Sequence, residues 1–296
     1  MLKSFDPYPI KVLHIESTDI CQASCPLCAR ETDVLFDKNV QQKLTISDIK
    51  SLLGVDIISG LDKMFMCGNY GDPAANKHSI EIYKYFREIN PAITLGMNTN
   101  GGLQNIKWWS RLGVIMNKPE DYVVFSIDGL EDTNHIYRRG VDWKKLINNI
   151  ESYIATGASA HWDMLIYEHN EHQIDKCKQL AKDMGFTWFR AKVSKRKHNI
   201  EWLKPPKTYT QASGIETGIV KCHSTMEQSI YLSANKKFYP CCWLGNNDNY
   251  PLSSYSDIAN SWNTENCVST CKNVCGIIED KKTNFSRQFR IEEQLK

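Results

Sequence analysis

The chain has 296 residues, with 36 lysines and arginines against 34 aspartates and glutamates and 42% hydrophobic residues. That length supports one large domain with a small one attached and excludes a fibrous or disordered class. The near-neutral balance lacks the basic excess with which nucleic-acid binders neutralise phosphates, and no window approaches the roughly 20 apolar residues of a membrane span.

From residue 10 to 190, short β-branched or apolar runs alternate with longer amphipathic stretches. Strands are expected near Lys11–Glu16, Met64–Cys67, Ile93–Met97, Tyr122–Ile127, His161–Ile166 and Phe186–Arg190. Between them, Thr45-Ile46-Ser47-Asp48 opens a capped helix. A second helix over Asp142–Ile154 carries Trp143, Leu146, Ile147, Ile150 and Ile154 on one face, and a third over Glu171–Met184 carries Ile174, Cys177, Leu180 and Ala181. Six such units predict an α/β chain folded as a partial (β/α)6 TIM-like barrel, with ligands at the C-terminal strand ends. Residues 1–190 form this core. Residues 191–220 read as a linker or bridging segment, with Lys192, Lys195, Arg196 and Lys197, then Pro205-Pro206, Gly214 and Gly218. The basic run reads first as a solvated face and second as a hold for an acidic substrate. Residues 221–296 form a small cysteine-rich extension, too short to rely on apolar burial alone and expected to fold around a metal centre.

The eleven cysteines fall into two groups: 21, 25 and 28, then 222, 241, 242, 267, 271 and 275, with Cys67 and Cys177 apart. The N-terminal stretch holds no apolar run of signal-peptide length, so a cytoplasmic, reducing location is expected, in which metal binding or catalysis explains the thiols. Cys177 reads as core and Cys67 as strand packing. The spacing of Cys21-Gln22-Ala23-Ser24-Cys25-Pro26-Leu27-Cys28 puts three soft thiolates on one loop, suited to zinc or an iron–sulfur cluster. A four-iron cluster on three cysteines keeps one iron open for a reactant.

The stretch HIESTDICQASCPLCAR resembles the Cys-x3-Cys-x2-Cys signature of the radical S-adenosylmethionine (radical SAM) superfamily, placed after the first strand as in that family. Further elements at later strand ends resemble it too. Cys67-Gly68-Asn69-Tyr70-Gly71-Asp72-Pro73 is similar to the Gly-Gly-Glu element that holds the SAM amino group, with Asp72 in place of Glu. Met97-Asn98-Thr99-Asn100-Gly101-Gly102 is similar to the Thr-Asn-Gly segment, and Ser126-Ile127-Asp128-Gly129 with Tyr137-Arg138-Arg139-Gly140 to the Ser-Ile-Asp-Gly strand end and its arginine. Asn170-Glu171-His172-Gln173-Ile174 looks familiar at a helix start. The resemblance implies that Cys21, Cys25 and Cys28 hold a 4Fe-4S cluster that binds SAM, with Tyr70, Gly71, Asp72, Asn98, Thr99, Ser126, Asp128 and Arg138 as cofactor contacts. It also implies reductive cleavage of SAM to methionine and a 5'-deoxyadenosyl radical that takes hydrogen from a substrate.

Behind the core, Cys222 is followed by a hairpin of Ile230-Tyr231-Leu232 and Phe238-Tyr239-Pro240 around Ala234-Asn235-Lys236-Lys237, in which Asn235 suits a left-handed position. Cys241-Cys242 and the run Cys267 to Gly276 come next. This is similar to the SPASM and twitch extensions of radical SAM enzymes, without their usual Asp-Gly turn. Six cysteines are too few for two full clusters, so one auxiliary 4Fe-4S cluster is expected on Cys222, Cys241, Cys271 and Cys275, with Cys267 or Cys242 as alternates. Trp243 and Trp262 read as core around it. A four-cysteine zinc knuckle is the bland alternative.

The resulting expectation is a radical SAM oxidoreductase or modifying enzyme acting on a peptide or protein, served by an external electron donor. A dehydrogenase of small alcohols or sugars, a zinc-binding module and an electron-transfer protein without SAM are the competing readings. No His, Tyr or carboxylate stands out as general acid or base.

Overall fold

The structure, a computed structural model, describes residues 9–196, 200–210, 216–278, 282–283 and 288–296. Lys197 and Gly214 of the bridging segment lie outside them. The six strands expected of the core are present: β1 (Val12–Ile15), β2 (Lys63–Met66), β3 (Thr94–Thr99), β4 (Tyr122–Ser126), β5 (Ala160–Ile166) and β6 (Trp188–Val193). Each pairs in parallel with the next, in register from Val12 opposite Lys63 to Ile166 opposite Val193. One face of the sheet is buried, as Leu13 and Ile15 of β1 and Phe189 and Ala191 of β6 are, whereas alternate residues such as His14, Arg190 and Lys192 are half-buried.

Later strands join the sheet at both ends. β7 (Glu216–Val220) pairs separately with β10 (Gly276–Ile278), whereas β8 (Ser229–Leu232) pairs in parallel with β1 and carries β9 (Phe238–Tyr239) antiparallel on its outer side. At the other edge β11 (Arg290–Gln294) runs antiparallel to β6. The nine-stranded order β11-β6-β5-β4-β3-β2-β1-β8-β9 is an open, mixed sheet, a partial barrel in which the sheet does not close. Part of the cysteine-rich segment is therefore built onto the core sheet itself.

Local chemistry sets the connecting helices. Thr45 caps the helix Ile46–Leu52 reciprocally with Asp48, and Asp142 caps Trp143–Ile154 through the Lys145 amide at 2.7 Å. The inner face of the latter is Leu146, Asn149, Ile150 and Tyr153, turned from the face expected from apolar residues alone. Asn149 is buried because its amide donates to the carbonyls of Gly101 and Leu103 at 2.8 and 3.0 Å, tying the helix to the turn after β3. Ile174, Cys177 and Ala181 face the core as expected. An aromatic cluster of Trp109, Phe125, Tyr153, Trp162, Phe186 and Phe189 fills the space between helices and sheet.

In the β8–β9 hairpin the left-handed residue is Lys236, with φ 68°, and not Asn235. The reason is the asparagine side chain, which accepts from the Lys237 amide at 3.0 Å and so forces the turn one residue later.

Candidate active site

A cavity of about 350 Å³ opens at the C-terminal ends of β1 to β6. Cys21, Cys25 and Cys28 line it from the loop after β1, Gly68 to Asp72 from the loop after β2, Asn98 to Asn100 from the end of β3, and Ser126 with Arg138 from β4 and the helix behind it. Asp128 does not line it; it stands behind Arg138.

The cysteine loop is pinned by the Ser24 amide donating to the Arg139 carbonyl at 2.9 Å and the Cys28 amide donating to the Cys25 carbonyl at 2.9 Å. Donors surround two of the sulfurs. The Ala23 amide lies 3.4 Å and Asn100 Nδ2 3.6 Å from Cys21 Sγ, and Arg138 Nη1 lies 3.8 Å from Cys25 Sγ. Burial pushes the Cys21 thiol up to about 12 and raises Cys25, with Arg138 working against the latter. Three soft sulfurs on one loop, with N–H donors aimed at them, fit an iron–sulfur cluster, whose binding displaces the thiol protons.

The loop after β2 approaches other backbone so closely that two glycines are required. A Cβ on Gly71 would lie 1.9 Å from the Thr18 carbonyl oxygen, and one on Gly68 would lie 2.2 Å from that of Gly71. Gly71→Ala is accordingly expected to displace the loop and destabilise the chain by about 1–3 kcal/mol, measured by thermal melting; a wild-type melting temperature would contradict this geometry. The Asp72 carboxylate braces strand ends: it accepts from the Ala74 amide at 2.9 Å, the Asn100 amide at 2.7 Å and the Thr99 hydroxyl at 2.8 Å. Its oxygens are thus engaged by protein donors. Tyr70 stacks on Phe36, with centroids 4.2 Å apart, and donates its hydroxyl to Asp33 at 2.6 Å.

Asp128 is fully buried; it contacts Arg138 Nε at 2.6 Å and accepts from the Leu165 amide at 2.6 Å. It therefore joins β4, β5 and the arginine beside Cys25, and does not cap the following helix. Asn170 donates to the Asp128 carbonyl at 3.0 Å and to that of Leu165 at 2.9 Å, so the Asn170–Ile174 element supports the same corner.

The far wall was not legible beforehand. Asp163 accepts from Arg190 Nε and Nη2 at 2.7 and 2.6 Å and from Lys192 at 2.7 Å; burial raises its carboxyl but the two cations outweigh it and hold it below the usual range. Lys192, Lys195 and Arg196 line the cavity, so the basic run is part of the site wall and not a plain solvated face. The cause is β6, which runs on to Val193 and carries Lys192 inward. Cys67 lines the cavity too, its thiol pushed up to about 12 by burial.

A second, smaller cavity is lined by Cys222, Cys241, Cys271 and Cys275, together with Leu244, Tyr255 and Trp262. Cys267 and Cys242 do not line it. The Cys275 thiol, hydrogen-bonded to Cys222, lowers Cys222, while burial pushes Cys241 up to about 12 and Cys271 to about 11. All eleven cysteines carry free thiols, and no three His, Cys, Asp or Glu side chains among the described residues converge as they would on a single metal ion. Trp262 packs edge-on to Tyr255 on the wall of this cavity but is half-buried, short of the core position expected for it. Trp243 is 55% exposed, contrary to its reading as core, and lines both cavities. The turn after Cys241 directs Leu244 inward, at 3% exposure, which sends its neighbour outward.

The radical SAM superfamily profile matches residues 15–181, from the end of β1 into the helix after β5. This chain belongs to the radical SAM superfamily. Membership makes it an enzyme and implies a 4Fe-4S cluster and SAM. Nothing matches among curated protein sequences. Among solved structures, Streptococcus suis SuiB bound to S-adenosylmethionine is 14% identical, with a TM-score of 0.58, covering 87% of this chain and 66% of its own. SuiB bound to the precursor peptide SuiA gives a TM-score of 0.59 at 14% identity, over 87% of this chain and 65% of that one. Native anSMEcpe with bound AdoMet gives 0.57 at 13% identity, over 82% of this chain and 77% of that one. At such identities the likeness is one of fold, and the radical SAM chain described here spans just under two thirds of SuiB. Among the described residues no helix is long and apolar enough to cross a membrane.

Proposed function

We propose that this radical SAM enzyme modifies or oxidises a side chain of a peptide or protein, using a SAM-binding cluster on Cys21, Cys25 and Cys28 and one auxiliary 4Fe-4S cluster in a SPASM- or twitch-like C-terminal segment over residues 221–296. The observation that carries this reading is the pair of cavities, one lined by the three loop cysteines with Cys67 beside them and the other by Cys222, Cys241, Cys271 and Cys275, with Trp243 on the wall of both. A 4Fe-4S cluster held by Cys21, Cys25 and Cys28 would supply the electron for reductive cleavage of SAM and so the radical chemistry that takes hydrogen from the substrate.

The residues of the chain hold and orient. Cys222, Cys241, Cys271 and Cys275 are the auxiliary ligands in this reading. The backbone of Tyr70 and Gly71 would hold the amino group of SAM, and Asn98, Thr99 and Ser126, which line the same cavity, would hold the rest of it. Asp72 acts by bracing Thr99 and Asn100, and Asp128 by fixing Arg138 beside Cys25. Lys192, Lys195 and Arg196 favour a substrate that brings a negatively charged group. A peptide substrate is supported by the fold shared with SuiB and anSMEcpe, which have been solved with peptides. A cytoplasmic location and an external electron donor belong to the same reading, since both clusters need reduced thiols.

Protein purified and reconstituted without oxygen is expected to hold about eight irons per chain, the sum of two four-iron clusters, and to yield methionine and 5'-deoxyadenosine on reduction with SAM. A colourless, zinc-only protein would overturn the reading. Turnover stimulated by small alcohols or sugars and by no peptide would overturn its substrate class alone.

A further inference from the structure

Glu16 is the first residue after β1, and its side chain is completely buried. It stands in the stretch that leads into the three-cysteine loop but is no part of the cysteine pattern itself, and its two oxygens tie together distant parts of the chain. Oε1 accepts from the backbone N–H of Tyr70 at 2.7 Å and of Gly71 at 3.3 Å. Oε2 accepts from the Tyr231 hydroxyl at 2.6 Å and from Asn246 Nδ2 at 3.1 Å, residues 215 and 230 positions away in sequence. Four donors match the acceptor capacity of one carboxylate, and burying a charge is tolerable only with such company. Burial raises the Glu16 carboxyl, and its donors work in the opposite direction.

What this carboxylate does that an apolar side chain could not do is orient peptide groups. In a trans peptide the N–H and C=O point in opposite directions. With the Tyr70 N–H drawn to Glu16, the Asn69 carbonyl of the same peptide turns toward the cysteine loop, where it lies 3.8 Å from Cys28 Sγ. The Asn69 side chain reinforces the arrangement by donating to the Cys242 carbonyl at 2.7 Å. Tyr231 and Asn246 do not line the SAM cavity.

We propose that Glu16 is a positioning residue that holds the Asn69–Tyr70 peptide with its carbonyl facing the cavity. It is held in turn by Tyr231 and Asn246, so the C-terminal segment sets SAM affinity from outside the cavity. The inference rests on the reading of that cavity as the SAM site.

The test is the dissociation constant for SAM, measured by equilibrium dialysis on the reconstituted full chain, with iron content and thermal melting followed in parallel. Glu16→Ala is expected to raise it at least about tenfold, and Tyr231→Phe and Asn246→Ala each about three- to tenfold, with iron content unchanged. Glu16→Gln, which keeps one oxygen for the Tyr70 and Gly71 amides but turns an NH2 donor toward Tyr231 and Asn246, is expected to match the Tyr231→Phe and Asn246→Ala losses, about three- to tenfold, and to stay tighter than Glu16→Ala. In a Glu16→Ala background, Tyr231→Phe should add nothing, because the two act through one network. Wild-type affinity in Tyr231→Phe and Asn246→Ala would overturn the proposal, as would full additivity with Glu16→Ala. If Glu16→Ala does not fold, Tyr231→Phe and Asn246→Ala decide alone. A wild-type protein that binds no SAM would overturn the cavity reading and this inference together; failure confined to the variants overturns this inference only.

Discussion

Cys25→Ala is expected to lower SAM cleavage more than about a thousandfold, roughly 4 kcal/mol, and to remove about four irons per chain while leaving the iron of the proposed C-terminal cluster in place. Of the three loop cysteines it is the buried one, at 7% exposure, so no solvent ligand can readily stand in for its sulfur. Its donor, Arg138, would then face an apolar methyl group. The measurement is methionine and 5'-deoxyadenosine release, with iron counting and electron paramagnetic resonance of the reduced protein. Retained cleavage would mean that the loop does not hold the reactive cluster, and loss of all iron would mean that the two cysteine groups do not assemble independently.

The second large effect concerns Arg138. Its guanidinium meets Asp128 at 2.6 Å, and the aspartate side chain has no exposure to solvent. Burial pushes the Asp128 carboxyl up, and Arg138 and the Leu165 amide only partly offset it. Arg138→Met leaves that carboxylate without a counter-charge in the interior, at a cost of about 3–5 kcal/mol. For a chain of this size, such a loss lowers the melting temperature by roughly 10 °C. Adding Asp128→Asn to Arg138→Met should restore part of the stability, since the orphaned charge is removed, but not the activity, since Cys25 still lacks its cation. A single variant that melts with the wild type would show that the pair is not the clamp its geometry describes.

Much of the core was readable because its signals are local. Apolar runs of strand length recur between capped helices, and all six parallel strands appear within a few residues of their expected places. The motif residues follow those strands, so a parallel sheet brings Cys21, Tyr70, Asn98 and Ser126 to one end without further information. Legibility failed where a residue's partner is remote. Asn149 looks like a surface residue until Gly101 and Leu103 are placed beside it. Trp243 looks like core until the turn around Leu244 faces it outward, and Glu16 is one acidic residue among many until Tyr70 and Tyr231 converge on it. The β8–β9 hairpin could be recognised from its pattern, but its parallel pairing with β1 could not, because a strand's composition does not name its neighbour.

The sequence by itself determined the alternation of strands and helices, the spacing of three thiols on one loop and the order of short motifs at successive strand ends. Covalent reach and backbone periodicity suffice for these. Only the tertiary structure decided which four of six C-terminal cysteines share a cavity, that the basic run after β6 lines the site, and that one buried carboxylate, Glu16, joins the loop after β2 to Tyr231 and Asn246, 215 and 230 positions from that carboxylate. Those features depend on sheet order and register, and therefore on contacts that no local stretch of the chain contains.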